Sequence, residues 1–299
     1  MEATQYDYQT IRYERPSERV ARIMLARPEL RNAQNTQMLY EVDAALDAAM
    51  QDDSVGAVII GADGPHFSAG HSMKKGDGGG IGDYGPPKMG GGGFGLPGQE
   101  GHMAHEQEVF IGFCWRWRNM PKPTIAAVQG KAIAGGLMLV WPFDLIVAAE
   151  NAQFSDPVVT FGVNGVEYFV HAWEVGARKA KEMLFTGEAL GAYEAKEIGM
   201  VNRVVKLEDL EGETLALAEK IAKQPSMGLR LAKMSVNQSL DAQGMYTAIQ
   251  AAFGMHHLAH ANMRIIHTQS GVDPTGAGKI KTQARADKPQ FPGSEAENA

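Results

Sequence analysis

Six short runs rich in aliphatic and β-branched residues are spread through the first two thirds of the chain: Ile11–Tyr13, Val20–Leu25, Val55–Ile60, Thr124–Gln129, Leu145–Ala149 and Val201–Val205. Helix-forming segments separate most of them. Between Thr36 and Met50 the apolar residues Met38, Leu39, Val42, Leu46 and Ala49 recur at helical spacing, with Asn35 or Thr36 as N-cap. Further helices are predicted at Gln107–Arg118, from Leu137, at Arg178–Phe185 and in a segment ending at Gly199. Strands alternating with helices predict an α/β architecture with a largely buried, parallel-type sheet. Beyond Leu207 the pattern becomes all-helical, Leu210–Ala222 and then Met227–His260 with interruptions at Gly244 and Gly254. Such an end cannot bury its whole apolar face alone, so it is expected to pack on the core and on neighbouring subunits.

Composition narrows the function classes. The 299 residues carry a net charge of −7, which argues against nucleic acid or an anionic membrane surface as the main partner. A lone cysteine, Cys114, excludes internal disulfides and multi-cysteine zinc sites, and no apolar run approaches the length of a spanning helix. With neither a basic nor an apolar leader at the N-terminus, a cytoplasmic protein is expected. Thirteen of the 35 glycines fall between Gly76 and Gly101, so most of the excess is one local insertion, read as a mobile loop beside a pocket. Residues 1–205 are taken as the α/β core, 206–268 as a helical region and 269–299 as a disordered tail. Gly276-Ala-Gly-Lys279 lacks phosphate-loop spacing and belongs to that tail.

Three segments carry a likeness. They are Arg27-Pro-Glu-Leu-Arg-Asn-Ala33, His66-Phe-Ser-Ala-Gly-His-Ser-Met-Lys74, and Pro123-Thr-Ile-Ala-Ala-Val-Gln-Gly-Lys-Ala-Ile-Ala-Gly-Gly136 followed by Asp144 and Ala152-Gln-Phe154. In this order and at these separations the chain resembles the crotonase (enoyl-CoA hydratase/isomerase) superfamily over about residues 11–265. The resemblance implies a spiral of repeated ββα units with a C-terminal helical trimerisation region, assembled as a homotrimer or a dimer of trimers. It also implies an acyl-CoA substrate, with coenzyme A as part of the thioester and no tightly bound cofactor.

The chemistry of that class explains the glycines. An enolate developing on a thioester oxygen is held by two preorganised backbone N–H donors, each worth about 2.7–4 kcal/mol. Glycine lets the backbone approach the ligand closely. The resemblance assigns the donors to the N–H groups of His71 and Gly135, and a helix from near Gly136 would aim its positive end at the same oxygen. Arg27, Ala69, Gly70, His71, Ser72, Met73, Lys74, Gly135 and Gly136 are then expected to line the substrate path, with Arg27 near the phosphates.

Two departures shape the expected reaction. Ungapped alignment puts Met138 and Val158 where a typical hydratase of this family has its two glutamates, and neither side chain transfers a proton. Hydration needs both steps, each worth roughly 10²–10⁴-fold. An isomerase needs one base, and Glu167 stands near where isomerase-type members place their carboxylate. Asp156, where some carbon–carbon hydrolases of the superfamily carry an aspartate supported by a histidine, is the second candidate. A carbon–carbon or thioester hydrolase, and a non-catalytic acyl-CoA-binding subunit, are the alternatives. His71 is expected to act through its N–H rather than its ring. His256, His257 and His260 are helically spaced, but without a partner carboxylate of recognisable spacing they are read as subunit contacts, and no metal site is expected. Trp115 and Trp117 are read mainly as core.

Overall fold

The computed structural model describes residues 7–74, 76–89 and 91–270. Strands β1 (Ile11–Ser17) and β2 (Val20–Leu25) form an antiparallel hairpin. β1 runs past the expected Tyr13, and its register shifts between Glu14 and Ser17, where an edge strand tolerates Pro16. The other edge of β2 pairs in parallel with β3 (Ala57–Ala62), then β4 (Thr124–Val128), β6 (Leu145–Ala149) and β9 (Arg203–Val205) follow, giving the order β1-β2-β3-β4-β6-β9.

Alternation along these strands decides which layer each side chain enters. Ile23, Ile60, Ala126 and Ile146 face a core shared with helices α1 (Thr36–Gln51) and, farther along the chain, α3 (Phe113–Arg118). Their neighbours Ala57, Ile59, Ile125 and Val147 face helix α7 (Leu210–Ala222) through Leu210, Ala218 and Ala222. Both faces are covered, which is why β3 is apolar at every position rather than at every second one. Asn35 caps α1, its side-chain oxygen accepting the Met38 N–H at 2.9 Å.

A second, three-stranded sheet, absent from the sequence reading, joins β5 (Lys131–Ile133), β7 (Gln153–Ser155) and β8 (Leu190–Gly191). Three helical expectations are corrected. The helix expected from Gln107 begins earlier, as α2 (Gly98–Glu106), and a π-helical turn at Gln107–Gly112 joins it to α3, so Gly98–Gly101 are helix rather than loop. The stretch after Ala134 is a six-residue 3-10 turn (Ala134–Leu139) that ends at Val140, two residues before Pro142, so no long helix points its end at the site. Gly254 does not interrupt α9 (Met245–Ser270), because one exposed helical glycine costs only about 1 kcal/mol.

Short helices α4 (His171–Glu174), α5 (Ala177–Thr186) and α6 (Ala192–Glu197) lead to β9. Helix α8 (Ser226–Ala242) buries none of its residues and exposes Met227, Leu231, Met234 and Val236. α9 docks through Met245, Ile249, Phe253, His256 and His257, one helical stripe. It runs through the expected boundary at 268/269; the remainder of the expected tail, with Gly276–Lys279, lies outside the described residues. No described helix is long and apolar enough to cross a membrane.

Candidate active site

The segment Phe67–His71 lies alongside Gln129–Ile133, held by Phe67 N–H to Gln129 O at 2.9 Å, Ser68 N–H to Lys131 O at 3.0 Å and Ile133 N–H to Ser68 O at 3.0 Å. This brings the two glycine turns together. Gly70 has φ +89, and a Cβ there would sit 2.7 Å from the Ile133 carbonyl oxygen and 3.3 Å from the Gly135 nitrogen, so only glycine fits. A Cβ on Gly135 would strike the His71 ring at 2.5–2.9 Å. Among the described residues, neither the His71 N–H nor the Gly135 N–H meets an acceptor outside its own element, and Gly135 is in the first turn of its 3-10 helix, where N–H groups have no internal partner.

The Arg27–Ala33 segment supports these turns. The Arg31 carbonyl accepts from Ala69 N–H at 2.9 Å, and Asn32, fully buried, donates to the carbonyls of Asp63 and His66. Gln34 does the most. Its backbone N–H donates to Gly70 O at 2.8 Å, its carbonyl accepts from Ser72 N–H at 2.6 Å, and its side-chain amide donates to Gly135 O at 2.6 Å. Sequence reasoning missed Gln34, although it directly follows the first of the three segments.

A cavity of about 200 Å³ opens beside these turns, lined by Gln34, Leu39, His71, Ser72, Asp77, His105 and Phe110 among others. At one wall Arg27 is committed rather than free: its guanidinium reaches both Asp77 oxygens at 2.9 and 3.0 Å and the Ala33 carbonyl at 3.0 Å. Burial raises the Asp77 carboxyl, but the Ser72 hydroxyl, Arg27 and the Asn35 amide outweigh it and hold it down to about 2. A phosphate at Arg27 would have to displace Asp77, whereas Lys74 and Met73 are exposed at the rim. Ala69 and Gly136 lie in the backbone of the two turns, and a Cβ on Gly136 would meet Ser68 O at 2.6 Å.

Glu167, 4% exposed, places Oε2 3.3 Å from His71 Nε2 and Oε1 3.6 Å from His256 Nε2. Burial pushes its pKa up, but the two imidazoles prevail and hold it down to about 2. Burial likewise opposes charge on His71, and Glu167 overcomes it, raising the imidazole. The His71 ring stacks on Phe110, centroids 3.9 Å apart, from the π-helical turn, a geometry that often marks functional positions. The ring thus touches the carboxylate on one side and covers Gly135 on another, more than the N–H role expected for this residue.

Asp156 and His171 form a second buried pair at 2.8 Å, both fully enclosed. Asp156 also accepts from Val166 N–H at 2.9 Å and Val158 N–H at 3.4 Å, so its oxygens are occupied by the loop that carries Glu167. Met138 is buried in the core. Trp117 is buried with its indole N–H donating to Asp43 at 2.9 Å, and Trp115 lies tilted against Tyr246, centroids 4.6 Å apart. The α9 histidines do meet carboxylates: His256 and His257 lie 3.6 and 3.2 Å from Glu106, which itself stands 2.7 Å from His102.

Comparison with known proteins identifies the family. The sequence model of the family "Enoyl-CoA hydratase/isomerase" matches residues 15–89 and 97–270. A crystal structure of a probable enoyl-CoA hydratase from Mycobacterium thermoresistibile is 49% identical, with a TM-score of 0.76, covering 85% of this chain and 97% of that one. One from Mycobacterium smegmatis is 46% identical, with a TM-score of 0.77, covering 88% and 98%. An enoyl-CoA hydratase/isomerase from Xanthobacter autotrophicus Py2 is 31% identical, with a TM-score of 0.74, covering 93% and 98%. With the paired glycine turns and the match along most of its length, the chain belongs to the enoyl-CoA hydratase/isomerase family of the crotonase superfamily, as an enzyme acting on acyl-CoA.

Proposed function

We propose that the chain is an isomerase-type enzyme that forms a thioester enolate, held by the His71 and Gly135 N–H groups, and moves a single proton through Glu167. The observation that carries this is the contact of one buried carboxylate with the ring that covers the second donor. Glu167 takes the proton from the carbon next to the thioester, the electron pair moves onto the thioester oxygen as a dienolate, and the proton returns at the far carbon of the original double bond as the new one forms next to the thioester carbonyl. A carboxylate with so low a pKa is a weak base in isolation. Here the negative charge passes from Glu167 to an oxygen held beside the same His71 ring, whose proton affinity Glu167 raises, so the charge stays next to that ring as it moves. Met138 and Val158 at the hydratase positions favour this over hydration. The step needs no tightly bound cofactor; coenzyme A arrives as part of the substrate.

A hydrolase built on Asp156 is disfavoured, because that carboxylate is enclosed and its oxygens already accept from His171 and from the Val158 and Val166 N–H groups. The bare apolar face of α8 supports a homotrimer or a dimer of trimers, which sedimentation would measure. The lone, buried Cys114 favours the cytoplasm. The decisive experiment is a double-bond isomerase assay on 3-enoyl-CoA, with calorimetric binding in parallel. Glu167→Gln should lose about 10²–10⁴-fold in turnover while still binding. Unchanged turnover removes Glu167 from the mechanism; binding without turnover in the wild type supports a non-catalytic binding subunit instead.

A further inference from the structure

Behind Glu167 a second group of side chains converges. His102 and Glu106 stand one turn apart on α2, and His256 and His260 one turn apart on α9, so each helix presents two donor-bearing side chains on one face. The two helices pack together. His102 Nε2 is 2.7 Å from Glu106 Oε1, His256 Nε2 is 3.6 Å from Glu106 Oε2, and His260 Nε2 is 2.9 Å from His256 Nε2. The ligating atoms of His102, Glu106 and His260 all lie within 4.8 Å of one another.

Within the protein these groups pair with one another. His256 Nδ1 is 2.9 Å from the Gly165 carbonyl oxygen, so that nitrogen carries the hydrogen, and Nε2 accepts from His260 Nε2 at 2.9 Å. His257 Nε2 lies 3.2 Å from Glu106 Oε2. What stands out is Glu106, a carboxylate only 4% exposed, with imidazole nitrogens from two helices around it and an Oε2 that makes no well-aligned hydrogen bond among the described residues. Such a buried carboxylate ringed by imidazoles is a donor set a metal ion can enter by displacing the weak contacts between its members.

We infer that His102, Glu106 and His260 bind one divalent transition-metal ion of the zinc class, clamping α2 to α9. Two imidazoles and a carboxylate, with water completing the shell, are a donor set such ions accept, and bonds of about 2.0–2.1 Å place tetrahedral ligand atoms about 3.4 Å apart. The three ligating atoms, all within 4.8 Å of one another and with His102 Nε2 2.7 Å from Glu106 Oε1, need only small side-chain shifts to meet that value. The clamp would act mechanically, because α2 leads directly into the π-helical turn whose Phe110 supports the His71 ring, and the ion would fix that connection to the C-terminal helix.

Chelator-treated, full-length protein is titrated with Co²⁺, followed by its visible absorption and by equilibrium dialysis. One ion per chain at micromolar concentration, with the strong bands of a four-coordinate site and a raised Tm, is expected. His102→Gln, at a side chain 30% exposed and therefore safe for folding, and His260→Gln should each raise the Kd by about 10–100-fold or more, with His66→Gln unchanged. No stoichiometric cobalt at micromolar concentration would overturn the site, and so would full binding in both ligand variants.

Discussion

Replacing Gly135 by alanine tests whether the His71 ring and the second donor act as one unit. Gly135 is not in the left-handed region, so alanine suits its backbone, and the perturbation is steric. The added methyl would stand 2.5 Å from His71 Cε1, 2.7 Å from Nδ1 and 2.9 Å from Nε2, about 1 Å inside ordinary contact. Stacking on Phe110 at 3.9 Å leaves the ring little room to retreat along that direction. A shift of about 1 Å would stretch the 3.3 Å His71–Glu167 contact beyond ion-pair range and move the Gly135 N–H off its target. The expected loss is that of a misplaced oxyanion donor, about 2.7–4 kcal/mol, or roughly 10²–10³-fold. The assay is exchange of the α-proton of a saturated acyl-CoA in D2O, which reports enolate formation whatever the overall reaction, with a melting curve to confirm folding. In a His71→Ala background the obstructing ring is gone, and Gly135→Ala should then cost less than about 0.5 kcal/mol. Wild-type exchange in the single variant, or losses that simply add in the double, would refute the argument.

Three further outcomes follow from buried charges. Burial pushes the Glu174 carboxyl up to about 7, against the pull of Arg118. The folded state therefore binds more protons than the unfolded one between about pH 4.5 and 7, and stability falls as pH rises through that window; Glu174→Gln should flatten the slope and raise Tm at pH 8. Asp77, held down to about 2, has the opposite sign: its contribution is full above its unfolded value near 3.8 and disappears as pH falls toward 2, so Asp77→Asn should remove that acid-side slope in a denaturation series. Asp156→Asn leaves His171 without its charged partner in a dry site and should cost about 3–5 kcal/mol in urea unfolding. The surviving folded fraction should keep its turnover, and a selective loss of turnover at full stability would restore Asp156 to the mechanism.

Much of this was legible in the residues. The strands of the main sheet announce themselves because both of their faces are buried, which leaves unbroken aliphatic runs such as Ala57–Ile60. The glycine turns were visible because close backbone approach leaves glycine few substitutes. The small sheet was not, since β5, β7 and β8 have three, three and two residues and make their pairing through distant segments. The π-helical turn was hidden for a related reason: an extra residue in one turn changes no composition, yet it sets where Phe110 points. Glu106 escaped notice because its relation to His102 is local while its relation to His256 spans 150 positions and exists only once α2 and α9 meet. The resemblance placed Arg27 near the phosphates; its partner Asp77 lies inside the glycine-rich segment, where no pattern marks it out.

Gln34 bears on how such a site could be moved to another scaffold. Each glycine turn is short enough to graft by itself, but the direct pairing of the two segments is not all that fixes the spacing between their donors. A third segment braces it, its main chain holding one turn and its amide the other. A transplant that copied only the two turns would carry the donors without their ruler. The minimal portable unit is three segments, and its tolerance is the length of one glutamine side chain.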